Sequence, residues 1–499
     1  MALVAGGGGN ELLDYVQTQA YWQMQDTPVT AAAMIEELQT PKAENVGALI
    51  ADLSAPQAAR REAASAKLRA MGEAALPELQ KVTPGATLGE KDLRIAQLIE
   101  QIGRRRGGLA IRRLMAIRTL GELKDASAAP VLRGLATSKA PFEADYAQAA
   151  LAAIEGKAYV RPGTPGKAFA GDPWLLPEGC GVVGQVKLPP GGAVDYAKAM
   201  AGMPDLPPEA PQQVTKIIVD AAERIGNVRA DGATIGVSAD IGQRDKDGEL
   251  GWVAVILRGR YNVEAVRGFL AAEIHAEAGN ELVDDVPVMR AGREFALAFV
   301  SDTQLVIVGG PSRVDKTPVI KALIAAGKTG KGGLTGDSPL GKLIATVDTT
   351  RPTWAAMIVN DNFRKIPWLE PFDTVTFVLD SAKQADNMTI LARGPDAQKV
   401  AETVAKAQAD VAEAKARFAR MAQDEPVAAF VGPTADLVNS VQVKADGTGA
   451  TLTATVKGAG TSMGVPLMWG RYSSRAPAGA ARVKAARTRP APASQPVEP

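Results

Sequence analysis

The chain has 499 residues, 46% of them hydrophobic, with 56 basic residues against 55 acidic ones and a single cysteine. That length exceeds one ordinary core and points to about three folded units. The balanced charge removes any global argument for nucleic acid or an acidic surface, and one cysteine excludes an intramolecular disulfide and a thiolate cluster for zinc or iron and sulfur.

Residues 1–45 read as an N-terminal helical segment. Its first 41 residues carry five acids, Glu11, Asp14, Asp26, Glu36 and Glu37, and no Lys or Arg. Met1-Ala-Leu-Val-Ala-Gly resembles the end of a signal peptide, yet it lacks a basic region, and its apolar run falls short of the roughly 7 to 15 residues such a region needs. The compartment stays open: extracytoplasmic if the true start lies upstream of Met1, otherwise cytoplasmic. No apolar run approaches the roughly 18 residues that would span a bilayer, so no transmembrane segment is expected.

From 46 to 156 the pattern is helical, short-looped and rich in Ala, Leu and Arg, with turns expected at Gly72, Gly103, Gly121 and Gly156. In Ala64–Leu79 and again in Ala116–Leu132, an amphipathic helix runs to a Gly and a second, Pro-containing helix follows a few residues later. Both stretches resemble the short HEAT-like repeat, in which a helix ends in Leu-Gly, an Asp-containing turn follows, and the next helix carries Ala-x-Pro-x-Leu. Ala150–Ile154 looks like the closing helix of a further unit. The resemblance covers about a fifth of the chain and implies a small solenoid, because each hairpin has an apolar face that only a stacked neighbour covers.

Residues 157–176, with several Pro and Gly, read as a linker. Beyond it, alternation replaces the helical period. Thr234–Ile241 and Gly251–Leu257 flank Asp245-Lys-Asp-Gly248, a hairpin signal, and Phe295–Val300 and Gln304–Val308 flank a second turn at 301–303, with Val263–Glu273 as a helix between. The order then recurs. Thr374–Asp380 matches Thr234–Asp240, Leu391-Ala-Arg-Gly394 matches Ile256-Leu-Arg-Gly259, each is followed by a helix, and Val441–Ala445 with Thr451–Val456 forms the counterpart of the 295–308 hairpin. The fold class expected is therefore multidomain: all-α HEAT-like hairpins, then an α+β region of two similar units, 177–350 and 351–460, with mainly antiparallel strands. In the second unit Val400, Val404, Ala407, Val411, Ala414, Phe418 and Met421 trace a heptad seam, read as a helix laid along its own sheet in preference to a coiled-coil contact. Residues 461–499 are rich in Pro, Ala and Arg, with six bases against one acid over 471–499, and read as a largely disordered tail.

One stretch asks for a nucleotide. Val306-Ile-Val-Gly-Gly-Pro-Ser-Arg-Val-Asp-Lys-Thr-Pro-Val-Ile320 has the strand, Gly turn, Lys-Thr pair and helix of a phosphate loop, but Asp315 stands where the second Gly belongs. A carboxylate about 4 Å from a phosphate charge costs roughly 4 kcal/mol at an effective dielectric of 20. The local alternative takes Thr317 as N-cap, Pro318 as first helical residue and Gly327 as the stop, with Val319, Ile320, Leu323 and Ile324 as the apolar face. Gly327-Lys-Thr329 also fails, since it follows a helix instead of opening one.

No catalytic, cofactor or metal constellation emerges elsewhere. His275 is the sole histidine and sits between acids on a helix, so two-His metal sites are excluded and any Ser-His-Asp site has to pass through it. Cys180 opens an apolar strand and reads as a small buried residue. Asp245–Glu249 lacks the ligand set of a calcium loop, and Asp284-Asp285 and Asp361 have no partner spacing. Arg104-Arg-Arg106 with Arg112 and Arg113 reads as a solvated face, without aromatics that would stack on bases. The expectation is a non-enzymatic protein-binding or scaffold protein, its partner another protein, with no nucleotide, no specific nucleic acid and no cofactor. The rival is a hydrolase or transferase using carboxylates or Ser in the cleft between the α+β units. An enzyme should gather polar groups in that cleft; a scaffold should show an apolar patch there instead.

Overall fold

The computed structural model describes residues 6–7, 11–38, 46–82, 89–104, 108–140, 142–163, 165–188, 210–241, 244–245, 248–249, 251–273, 277–382, 385–421 and 436–457. The N-terminal part is helical: α1 (Thr18–Met24), α2 (Ala31–Leu38), α3 (Val46–Asp52), α4 (Ala58–Met71), α5 (Leu76–Gln80), α6 (Glu90–Arg104), α7 (Gly108–Leu123), α8 (Ala129–Leu135) and α9 (Glu143–Ile154). Pro77 and Pro130 sit in the first turns of α5 and α8, where a missing N–H costs nothing. Gly72 ends α4 at φ 55° and Gly156 follows α9 at φ 69°. Gly103 lies inside α6, and Gly121 inside α7, where a Cβ would come within 2.8 Å of the Ala150 Cα; Gly121 brings α7 and α9 together and marks no turn.

The helices build two cores. One, from α3 to α6, gathers Val46, Leu53, Leu68, Leu79 and Leu98. The other surrounds α7 and draws Leu13, Trp22 and Met34 from the N-terminal segment and Val219 and Ala222 from α11 (Ala210–Ile225), which lies beyond 176. The stretch 157–176, expected as a linker, is tied down at several points. Tyr159–Val160 (β2) pairs in parallel with Gly6–Gly7 (β1), α10 (Gly166–Gly171) buries Phe169, and a 3₁₀ turn at Asp172–Leu175 buries Asp172, Pro173 and Leu175. Lys157, Ala158, Pro162, Gly163, Pro165, Gly166 and Lys167 are exposed, while Phe169, Asp172, Pro173 and Leu175 anchor the stretch to the sheet.

The rest of the described chain centres on one twelve-stranded antiparallel sheet. Its strands are β3 (Cys180–Lys187), β4 (Arg229–Ser238), β7 (Val253–Arg260), β8 (Glu277–Val283), β9 (Val286–Ala291), β10 (Phe295–Ser301), β11 (Gln304–Gly309), β12 (Thr353–Ile358), β13 (Thr374–Ala382), β14 (Ala385–Arg393), β15 (Gln442–Asp446) and β16 (Gly449–Lys457). The order is β15-β16-β14-β13-β12-β3-β4-β7-β11-β10-β9-β8. Read outward from the β3–β12 pair, each half repeats one plan. An opening strand is followed by a strand pair, then a helix, then a hairpin whose second strand pairs with the second strand of that pair. The helices are α12 (Val263–Glu273) and α15 (Ala397–Met421), and the β8–β9 hairpin is extra to the first half.

The two halves share a local device. A Cβ on Gly259 would lie 1.9 Å from the Arg229 carbonyl oxygen, and one on Gly394 would lie 1.9 Å from the Pro371 carbonyl oxygen. Each Arg-Gly pair thus lets the third strand of its unit turn into the helix against the start of the second. Register corrects the match in detail: Arg393 is opposite Thr374, whereas Arg258 is opposite Gly232, so Thr376 and not Thr374 corresponds to Thr234. The displacement is two residues, which keeps every side chain on its face.

One face of the sheet is covered by α13 (Thr317–Thr329), α14 (Pro339–Ile344) and the 172–176 turn, which bury Val183, Ala254, Ile256, Val306, Trp354 and Ala356. On the opposite face α12 packs Val263, Val266 and Leu270 over Leu257, Leu297 and Leu305. There too α15 packs Val400 and Val404 over Val375 and Ala392. Only this first stretch of the α15 seam is buried; Ala407, Val411, Ala414 and Phe418 are half-buried, and Gln408 and Lys415 donate to the Val443 and Val441 carbonyls of the edge of the same sheet. No described helix is long and apolar enough to cross a membrane.

Candidate binding face

Between α12 and α15 the sheet presents three adjoining apolar rows. Met357, Val182, Val237 and Val253 face one another across β12, β3, β4 and β7; Ala355, Gly184, Ile235, Val255 and Ile307 form the next row, which reaches β11; Val186, Ala233 and Leu257 form the third. All of these residues are half-buried, while the alternate positions in the same strands are buried on the far face. The middle of the floor is low, because Gly184 lies between Ala355 and Ile235 and carries no side chain. Among the described residues these rows carry no acid or base; their one hydroxyl is that of Thr353, opposite Val186, which is buried and has no hydrogen-bond partner.

The polar residues of the sheet point elsewhere or are spent in pairs. Gln185 donates to the Phe169 carbonyl at 2.7 Å and to Thr234 at 2.8 Å, on the covered face. Asp172 is fully buried and takes both arms of Arg258, with contacts of 3.0 and 2.5 Å; burial raises its pKa and the guanidinium opposes that rise. At the junction with the helices, Arg161 donates to Glu11 at 2.7 Å and to Asp14 at 2.5 Å, stacks over Tyr146 at 4.5 Å, and Asn227 donates to Glu11 at 2.9 Å. Glu11 Oε1 and Arg161 Nε in this knot have no partner among the described residues. Burial drives the Glu11 pKa upward, and Arg161 pulls against it.

The residues singled out from the sequence scatter over the molecule. Lys316 is 2% exposed, and its ammonium donates to the carbonyls of Arg293, Pro311 and Val314 at 2.8, 2.7 and 2.9 Å, so it is committed to the backbone. Asp315 accepts from the Thr317 N–H at 2.9 Å, which lowers its pKa. The helix start is therefore capped by Asp315 around Lys316, not by Thr317, and its αL stop is Gly330 at φ 72°, with Gly327 packed inside the helix against Val300. The apolar face at Val319, Ile320, Leu323 and Ile324 is buried as expected. Lys328 donates to the Asp284 carbonyl.

Cys180 is buried at the head of β3, and desolvation pushes its thiol up to about 12, unsuited to nucleophilic attack. Asp284 and Asp285 form the tight turn of the β8–β9 hairpin, both at positive φ, and Asp245 lies in the two-residue ladder of β5 (Arg244–Asp245) and β6 (Gly248–Glu249). Asp361 is exposed in a turn, and His275, Arg105 and Arg106 lie outside the described residues. Arg112 and Arg113 do not form a solvated face. Arg112 pairs with Glu37 at 2.5 Å over the Trp22 ring, and Arg113 pairs with Glu143 at 2.8 Å. Among the described residues, no group of three or more His, Cys, Asp or Glu side chains is placed to hold a metal.

The apolar floor escaped the sequence reading, although a signal was present. Cys-Gly-Val-Val-Gly, Val-Ala-Val-Ile-Leu and Gln-Leu-Val-Ile-Val are continuous apolar runs, the mark of strands apolar on both faces, and not the alternation of half-solvated ones.

No family model matches the chain, and no curated protein matches it. Among solved structures, crystal forms III, I and IV of TP0453 align over 57%, 57% and 58% of this chain and 92%, 92% and 94% of theirs, at 8% identity and TM-scores of 0.31, 0.30 and 0.31.

Proposed function

We propose that this chain is a non-enzymatic protein-binding scaffold, and that the open sheet face between α12 and α15 receives an amphipathic helix of a protein partner. The observation that carries the reading is the three-row apolar floor where the two α+β units meet. Patches of this kind mark interaction sites. The hydrolase or transferase reading asks for polar groups converging at the same place, where the described side chains are Val, Ile, Leu, Ala and Met with a single buried Thr, Thr353.

Width selects the occupant. The strands left uncovered by the described helices, β12, β3 and β4, span about 10 Å between their outer axes at roughly 4.8 Å per step, which is the diameter of one α-helix. A helix seated there would complete a three-helix layer and bury the floor together with the inner sides of α12 and α15. The low line at Gly184 and Ala355 admits its larger side chains. The HEAT-like reading of the N-terminal hairpins adds a second surface to the scaffold, since stacked hairpins present extended concave faces to protein partners.

The test uses the full chain and an 18-residue Leu/Lys amphipathic helical peptide as probe. Binding should saturate and weaken at least tenfold in Ile235→Glu, which places a charge on the floor without touching the covered face. Saturation by a detergent monomer but not by the peptide would assign the floor to an amphiphile, and concentration-dependent dimerisation abolished by Ile235→Glu would assign it to a second copy. Either result, or an Ile235→Glu chain that binds the peptide as wild type does, would overturn the proposal.

A further inference from the structure

A second surface, remote from the sheet floor, has the makings of a ligand site. On α4, Glu62, Ser65 and Arg69 recur at helical spacing; on α6, Glu90, Leu93, Arg94, Gln97 and Leu98 do the same, and the two stripes face each other across a groove of about 400 Å³. The charges within it are unevenly spent. Arg94 donates to Glu62 at 2.8 Å and to Glu90 at 2.9 Å, so one guanidinium engages both carboxylates of the groove. Arg61 is held by the Ala55 and Pro56 carbonyls at 2.9 and 3.0 Å.

Among the described residues that leaves Arg69 as the lining cation with no carboxylate partner, one helical turn beyond Ser65. Ser65 is 4% exposed, lines the same groove, and its hydroxyl has no hydrogen-bond partner among the described residues. The hydroxyl itself is closed off from solvent, and buried hydroxyls are nearly always paired, so an acceptor from outside would satisfy it once the side chains over it give way. Leu93, 53% exposed, and Leu98 give the groove an apolar side next to these polar groups.

We infer that the α4–α6 groove is a carboxylate site: Arg69 pairs with the anion, Ser65 and Gln97 donate to its second oxygen, and Leu93 with Leu98 takes an aliphatic group beside it. A single negative charge suits the groove better than a phosphate dianion, which would sit near Glu62 and Glu90 with one uncommitted guanidinium to balance it. The carboxylate arrives on an acidic side chain of a protein next to an aliphatic residue, or on a small branched acid; the chemistry is shared, and the probes separate the two.

Calorimetric titration of the full chain with isovalerate, with its uncharged isostere isovaleramide, and with the capped peptide acetyl-Leu-Glu-Leu-amide tests this. Saturable binding of the peptide alone assigns a protein source, and saturable binding of isovalerate as well assigns free acids. In both cases Arg69→Gln and Ser65→Ala should each weaken binding at least fivefold, and isovaleramide should not bind. Arg69 is exposed and Ser65 is an unpaired hydroxyl, so both variants should keep the wild-type melting temperature or exceed it. No saturable heat from either acid, or binding unchanged in both variants, would overturn the inference. So would isovaleramide binding as well as isovalerate, because the recognition would then be apolar alone.

Discussion

Glu11 shows how a single side chain couples the helices to the sheet. It is fully buried, it forms an isolated bridge to Arg229 at the start of β4, and its carboxylate holds Arg161 and Asn227. Desolvation raises its pKa in the folded chain above the ordinary value of 4.5. The unfolded chain therefore gives up this proton at lower pH than the folded one. Between 4.5 and the raised folded value, the unfolded state is favoured progressively as pH rises, and the cost levels off once the folded group is ionised. In Glu11→Gln that component disappears. The unfolding free energy of wild type relative to Glu11→Gln should fall as pH increases above about 4.5, as read by urea titration at a series of pH values. Arg161→Met should behave differently. It strands two buried carboxylates and should cost about 3–5 kcal/mol near neutral pH. A pH-independent difference for Glu11→Gln would show that folding leaves the Glu11 pKa unchanged.

Elements tell a more legible story than residues. The strand-pair, helix, hairpin order of both α+β units could be read from alternation and from the two Arg-Gly pairs, because period and turn chemistry are local. Register could not, since a shift of two residues leaves the pattern of faces intact. Nor could the uncovered floor: a run such as Val253–Leu257 is equally apolar whether one helix layer lies over it or none. The repeated glycines give the duplication a direct test. Gly259→Ala and Gly394→Ala each force a Cβ against a backbone carbonyl oxygen and should each destabilise the chain by more than about 2 kcal/mol. Gly134→Ala in α8, where nothing lies within 4 Å, should be neutral or stabilising by up to about 1 kcal/mol. Chemical denaturation of the three variants decides it. If Gly394→Ala alone were harmless, the two turns would not be equivalent, and the correspondence of the units would rest on strand order only.

At the scale of the molecule, the sequence divides where the structure joins. Pro and Gly between 157 and 176 have the composition of a spacer, yet what sets the behaviour of this stretch is the partners its few anchors meet, and those are distant in sequence: Asp172 with Arg258, Phe169 beside Gln185, Leu176 in the core of the sheet. The helical part is likewise incomplete without its neighbours. Trp22 donates to Thr119 at 2.8 Å from outside 46–156, and α11 supplies Val219 and Ala222 from the other side. A fragment of residues 46–156 should keep its α3–α6 core but leave α7 and α9 poorly protected in hydrogen exchange, because the surface that covers them has been cut away. In the whole chain, limited proteolysis followed by mass spectrometry should spare 165–188 until the chain unfolds globally, with the first cuts falling elsewhere. Early cleavage inside 165–176, combined with native-like protection of α7 and α9 in the isolated fragment, would mean that the helices and the sheet are independent bodies joined by a spacer, and that the Glu11 and Asp172 pairs contribute nothing to their union.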